Sequence, residues 1–245
     1  MLKYIHTQTD EYGDVVVLDD EDYRILSFTV GDEQSRQYKP EPHVLQHEYT
    51  QAMMLPCLFM QPKRVLMLGL GAGALLNALH HSVPGVRIEA VELRQSVIDI
   101  AKRYFRLAQS KKIAIHCDDA VAFVKRPLEK KVDLILTDLY TEQGMESAQI
   151  CVDYLASCKA KLKNTGWLVI NCWGTSQQHA DLFTYLNLAF ADVRSCQPGD
   201  GNLVIYAGVS KCLLDDPKLR EQAKKLQQKL GFSLEPFIAK LTRHQ

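Results

Sequence analysis

Residues 64–76 read RVLMLGLGAGALL, and Gly69, Gly71 and Gly73 fall where an apolar run gives way to a helical pattern. Glycine lets backbone approach a ligand closely, and the first turn of a helix offers unpaired N–H groups. Such a loop cradles a nucleotide or nucleoside. Glu92 ends the next apolar run, VRIEAVEL, where a carboxylate can accept both hydroxyl protons of a ribose. The run after that ends in HCDDAVAF, so Asp118 and Asp119 sit where an adenine amino group needs an acceptor. Asp119 also suits a helix N-cap. The following run ends in TDLY and delivers Asp138 to the same edge. Glycines, ribose acid, adenine acid and Asp138 fit an adenosyl sulfonium ligand or a dinucleotide.

These residues need a parallel sheet to bring them together. RVLMLGL, VRIEAVEL, KKIAIHC, VDLILTD and GWLVINCWG read as five strands alternating with helices. Near-continuous apolar strands suit a sheet covered on both faces, and open α/β sheets bind ligands at the carboxyl ends of their strands. A helix near 146–163 places Cys151, Leu155, Cys158 and Leu162 on one face. DVRSCQ and NLVIYAGVS follow, separated by the turn signal PGDGN, and form a C-terminal antiparallel hairpin. That ending fits a class I methyltransferase-like Rossmann sheet, mostly parallel, better than a dinucleotide domain, and favours the sulfonium ligand. DDPKLREQAKKLQQKLG is an amphipathic helix stopped by Gly231. Before the sheet, DVVVLD and YRILSFTV form a small N-terminal β-hairpin domain over 1–42. HVLQHEYTQAMMLPCLF is a linking helix within 43–62, and residues 63–245 form the α/β domain.

Composition narrows the classes. The 29 basic and 29 acidic residues cancel, which argues against a general nucleic-acid binder. Residues 1–60 hold eleven acids and four bases, so the front of the chain could help gather a cation. No stretch reaches the roughly 20 apolar residues of a membrane helix, and MLKYIHTQTDEYG does not read as a secretory signal. The seven cysteines show no CxxC spacing and read as reduced thiols of a cytoplasmic protein. His43 and His47 would share a helix face, but no third ligand is evident, so no metal is expected.

The order and spacing of QS (34–35), EYTQAMML (48–55), VLMLGLGAGAL (65–75), IEAVELRQSVIDIAKRYF (88–105), CDDAVAFV (117–124), DLILTDLY (133–140) and GNLVIYA (201–207) resemble the spermidine synthase-like family. The resemblance implies a small β-domain before a class I methyltransferase sheet, assembly as a homodimer or tetramer, and S-adenosylmethionine or its decarboxylated form as co-substrate. It implies transfer of an aminopropyl group to an amine, a small-molecule acceptor. By position, Gly69, Gly71 and Gly73 would line the sulfonium ligand, Glu92 the ribose, and Asp119 with Ala120 the adenine. Gln34 and Tyr49 would border the acceptor groove, and Asp138 would face the attacking amine as the catalytic acid–base group; Tyr140, read from its own place in the loop, either covers the acceptor or packs.

Two departures bear on the reaction. The family's glycine loop reads Gly-Gly-Gly-Asp-Gly, and here Ala72 replaces the acid. Its Asp-Ser-Ser-Asp-Pro loop becomes Asp138-Leu139-Tyr140-Thr141-Glu142, which loses the second acid and the proline. An uncharged loop at 72 no longer repels the carboxylate of intact S-adenosylmethionine, so a methyltransferase with an unknown acceptor is the alternative. Aminopropyl transfer to a diamine requires compensating acids, with Glu142 and Glu146 as candidates. A non-catalytic scaffold would instead show a filled crevice.

Overall fold

The computed structural model describes residues 2–29, 33–141, 144–173, 176–199 and 201–244. An N-terminal sheet is formed by β1 (Lys3–Asp10), β2 (Gly13–Asp20), β3 (Tyr23–Ser27) and β4 (Ser35–Tyr38), antiparallel in chain order. The expected hairpin is therefore the centre of a four-stranded sheet. Two short helices follow, α1 (Glu48–Ala52) and α2 (Pro56–Phe59). The single linking helix is not formed, because Pro56 begins a new helix and residues 43–47 lie outside both.

The main sheet contains β5 (Arg64–Leu68), β6 (Arg87–Glu92), β7 (Ile113–Cys117), β8 (Val132–Thr137), β11 (Leu162–Cys172), β12 (Asp192–Cys196), β13 (Leu203–Gly208) and β14 (Leu241–His244). A small ribbon, β9 (Tyr140–Thr141) with β10 (Gly144–Met145), intervenes after β8. The main order is β14-β12-β13-β11-β8-β5-β6-β7, with parallel pairing from β11 through β7 and antiparallel pairing for the last three strands. This is the expected Rossmann-like sheet with its antiparallel end, extended by β14.

The crossover helices are α3 (Ala74–Ser82), α4 (Gln95–Tyr104), α5 (Ala120–Lys125), α6 (Val152–Lys161) and α7 (Ser176–Ala189). After the hairpin come α8 (Asp216–Leu230) and α9 (Glu235–Ala239). Gly231 ends α8 in the left-handed conformation at φ +77°, and Asp215 caps its start. The apolar stripe expected from Cys151 is shorter than the spacing implied. Cys151 is the exposed N-cap of α6 and Leu162 already belongs to β11, while Leu155 and Cys158 are fully buried.

The apolar sheet strands fill cores on both faces. A smaller core joins the two sheets: Val15, Val17, Leu26 and Phe28 pack against Ala72, Val97, Ile100 and Phe105. Polar contacts reinforce that joint. Arg94, 6% exposed, donates to both carboxylate oxygens of Asp10 at 2.8 and 3.0 Å and to the carbonyl of Gly13 at 2.8 Å. Burial would raise Asp10, but its bonds to Arg94 and Ser96 outweigh this and hold the carboxyl below the usual range. Gln37, buried, donates to the carbonyl of Phe105 at 2.7 Å. These ties hold the N-terminal sheet over the carboxyl edge of the main sheet.

Candidate functional site

Parallel register sets the site. Val91, Leu68, Thr137 and Ile170 lie level across β6, β5, β8 and β11. The next residue of each chain is Glu92, Gly69, Asp138 or Asn171. Four groups are thereby set side by side at one edge by pairing alone. Gly69 N donates to the carbonyl of Val91 and Asp138 N to that of Leu68, each at 2.9 Å, which extends the pairing past the strands.

A cavity of about 860 Å³ opens above this edge. Gly69, Gly71, Glu92, Asp119, Ala120, Asp138, Gln34, Tyr49 and Tyr140 all border it, so nine residues named from sequence share one space. Gly73 does not border it. Its φ is +81°, and a Cβ there would lie 2.1 Å from Leu107 Cδ1, so this glycine is required for packing at the start of α3. Gly69 has φ +94°, and a Cβ would lie 2.2 Å from the carbonyl oxygen of Asp138. Strand β8 passes so close that only hydrogen fits.

Glu92 has a task that spacing did not reveal. One carboxylate oxygen accepts from Leu70 N at 3.1 Å and Gly71 N at 3.4 Å, and the other from Arg94 N at 3.1 Å. Burial raises its pKa against the pull of those donors. Glu92 thus shapes the glycine loop, and its remaining lone pairs are those left for a ligand. Asp119 caps α5, accepting from Ala122 N at 2.6 Å. Asp118 does not join it at the cavity. It is ion-paired with Arg126, just past the end of α5, and accepts from Asp119 N.

Asp138 is the chemically distinct group. Burial pushes its carboxyl up to about 6, against the opposing hydrogen bonds from Asn171 and the Tyr49 side chain. Asn171 Nδ2 donates to Asp138 Oδ1 at 2.8 Å. Asn171 is 1% exposed, and its own amide oxygen is buried with no hydrogen-bond partner. Leaving an acceptor in that state costs of order 1–3 kcal/mol. Neither Asn171 nor Gln149 was singled out from sequence. The available signal was an amide at the end of the apolar run LVIN, level with Asp138.

Ala72 lies in the joint between the sheets at 0% exposure, beneath Val15, Val17, Leu26 and Phe28, and does not border the cavity. The glycine loop therefore brings no charge to the donor end. Of the compensating acids, Glu142 lies outside the described residues. Glu146 borders the cavity and caps the 3-10 helix Ser147–Ile150, accepting from Ala148 N at 3.1 Å. Glu33, not anticipated, also borders the cavity and is held by Arg36 through two bonds of 2.8 Å.

His43 and His47 do not share a helix face. His43 stacks on His81 with ring centroids 3.6 Å apart, and His47 on Tyr49 at 5.7 Å. Among the described residues no group of three His, Cys, Asp or Glu side chains is placed to hold a metal. No helix among them is long and apolar enough to cross a membrane.

Comparison with known proteins agrees with this layout. The family model of the spermine/spermidine synthase domain matches residues 46–198. A polyamine aminopropyltransferase of Vibrio vulnificus (strain CMCP6) is 29% identical over 249 residues, covering 98% of this chain and 82% of that protein. A probable spermidine synthase from Corynebacterium glutamicum superimposes with TM-score 0.78 at 18% identity, over 92% of this chain and 86% of that one. Human methyltransferase-like protein 13, solved in complex with SAH, superimposes with TM-score 0.68 at 22% identity, over 76% of this chain and 93% of that one. At these identities the two structures establish the class I methyltransferase fold. The family match spans more than half of the chain, and the chain belongs to the spermine/spermidine synthase family of transferases.

Proposed function

We propose that the cavity binds an adenosyl sulfonium donor, with decarboxylated S-adenosylmethionine the first candidate, and transfers its aminopropyl group to a small amine. The adenine would lie against Asp119 and Ala120, the ribose on Glu92, and the sulfonium over Gly69 and Gly71. The acceptor would enter between Gln34, Tyr49 and Tyr140. The observation that carries this reading is Asp138: a carboxylate with its pKa near 6, one residue past the strand end and level with Glu92 across the sheet.

In this reading the nitrogen lone pair of the amine forms the new N–C bond. The C–S bond breaks with its electron pair passing to sulfur, which leaves as a neutral thioether and needs no acid. The protein holds nitrogen, carbon and sulfur in line. Asp138, ionised at neutral pH, attracts the ammonium form and accepts its proton. Tyr49 and Asn171 donate to the carboxylate and keep its charge in place until the proton arrives.

A second reading is methyl transfer from S-adenosylmethionine. The uncharged glycine loop is compatible with it, because it brings no acid to the cavity to repel an amino acid carboxylate. The fold shared with the SAH-bound human methyltransferase supports it too. Calorimetry with S-adenosylmethionine, its decarboxylated form and methylthioadenosine, followed by mass spectrometry of reactions with putrescine, separates the two. Selective binding of the decarboxylated donor with an aminopropylated product supports the first reading. Equal or tighter binding of S-adenosylmethionine without that product refutes it in favour of the second, and no binding of any nucleoside refutes both.

A further inference from the structure

Four buried side chains, Thr137, Gln149, Tyr154 and Asn171, close around the loop that carries Asp138. Gln149, 0% exposed, uses both ends of its amide. Its oxygen accepts from Thr137 Oγ1 at 3.1 Å and Leu139 N at 3.2 Å, and its nitrogen donates to the carbonyls of Leu139 at 3.4 Å and Asn171 at 3.2 Å. The Thr137 hydroxyl in turn lies 2.8 Å from the buried Tyr154 hydroxyl. One side chain therefore clips the residues before and after Asp138 to the strand that carries Asn171. Asn171 completes the arrangement through its bond to Asp138 Oδ1.

We propose that Asn171, held in register by Gln149, is a positioning residue that fixes the Asp138 carboxylate for proton acceptance from the acceptor amine. An ionised carboxylate only accepts hydrogen bonds, so Asn171 must present its nitrogen and leave its oxygen elsewhere. The oxygen finds no partner. An apolar residue would fill position 171 with no orphaned atom, so packing does not account for the amide. What its nitrogen does for Asp138 accounts for it.

This inference rests on the proposed role of Asp138, and its test does not require turnover. The titratable groups that border the cavity with Asp138 are Glu11, Tyr12, Glu33, Arg36, His47 and Tyr49 from the N-terminal part, Glu92 and Arg94 at the end of β6, Asp119 at the start of α5, and Tyr140 and Glu146 after β8. Of these only Tyr49 bears on the carboxyl, alongside Asn171 and burial. Removing the Asn171 donor takes away a hydrogen bond to a charged group, equivalent to about one to two pH units.

The experiment compares wild type, Asn171→Ala and Asn171→Gln, each with and without Asp138→Asn. Thermal unfolding from pH 4.5 to 9 yields, by difference, the pH at which the Asp138 carboxyl titrates in the folded protein. Asn171→Ala should move that midpoint upward by about one to two units, with Asn171→Gln moving it less and methylthioadenosine affinity unchanged. Where turnover is measured, the acid limb of the rate profile should shift by the same amount, so the loss at pH 7 is about two- to tenfold and recovers by pH 9. An unmoved midpoint, or a stability loss equal at every pH, overturns the role. A moved midpoint in a protein that transfers nothing to any amine keeps the positioning and refutes the reaction.

Discussion

Replacing Asp138 by asparagine should make this protein more stable at neutral pH while removing its activity. The carboxyl titrates near 6 in the folded chain against a reference of 3.8. Between those values the folded protein holds a proton that the unfolded chain has released, so stability falls as pH rises through that window and the full penalty is present above pH 6. A shift of about 2 units corresponds to ~3 kcal/mol at pH 7.5, an upper value because water in the cavity screens the charge. Asparagine carries no charge and escapes this penalty. It cannot accept from both Tyr49 and Asn171 as a carboxylate does, which gives back about 1 kcal/mol. The net gain is ~2 kcal/mol, or ~4–8 °C in melting temperature for a chain of this size. Thermal and urea unfolding of both proteins from pH 4.5 to 8 measures it. The gain should vanish or reverse near pH 4.5, where the native carboxyl is already protonated. A difference that does not change with pH, or a variant less stable than wild type at pH 7.5, would refute the assignment of a strained buried carboxylate.

Other perturbations test the rest of the cavity. Glu92→Gln leaves one amide oxygen where two carboxylate oxygens served three backbone donors, and methylthioadenosine affinity by calorimetry should fall about 10- to 100-fold; unchanged affinity removes Glu92 from the site. Gly69→Ala forces a Cβ to within 2.2 Å of the Asp138 carbonyl at φ +94°, so unfolding midpoints should drop by at least ~2 kcal/mol, and a near-neutral substitution would contradict the close approach of β8. Ala72→Asp puts a carboxylate among Val15, Val17, Leu26 and Phe28 and should cost several kcal/mol of stability. A well-folded Ala72→Asp protein with sharpened preference for the decarboxylated donor would show that position 72 faces the ligand.

What could be read from sequence follows from how each element is stabilised. Strands β5, β6, β8 and β11 are buried on both faces, so their residues form apolar runs that announce themselves. Level parallel pairing then fixes which residues meet at the carboxyl edge, and Glu92, Asp138 and the glycines were legible for that reason. Strand β1 is polar and exposed on alternating and adjacent positions alike, and β14 is four residues of LTRH at a sheet edge. Their strand character comes from partners far along the chain, which no local pattern encodes. The break between α1 and α2 was hidden by helix-compatible composition, although Pro56 marked it. Asn171 and Gln149 were invisible for a different cause. A polar residue in an apolar run reads as an imperfection until its partner, thirty-three or ten residues away, is known to lie beside it.

The placement of energetic cost argues for chemistry over shape alone. Asp138 carries a charge in a position that raises its pKa to about 6, and Asn171 buries an amide oxygen without a donor. Both lie at the ends of neighbouring strands at the wall of an open cavity, while the nearby polar groups Gln149, Thr137 and Tyr154 are satisfied. A chain that served only as a scaffold would gain stability by exchanging both for apolar residues of similar size, as it has at Ala72, where an acid of the family pattern gives way to packing. It has not done so at Asp138 and Asn171, where a buried amide meets a buried carboxylate. Function accounts for such local conflict. Asp138 and Asn171 keep a carboxylate and its hydrogen-bond donor at the cavity wall, while position 72 is given over to the joint between the sheets.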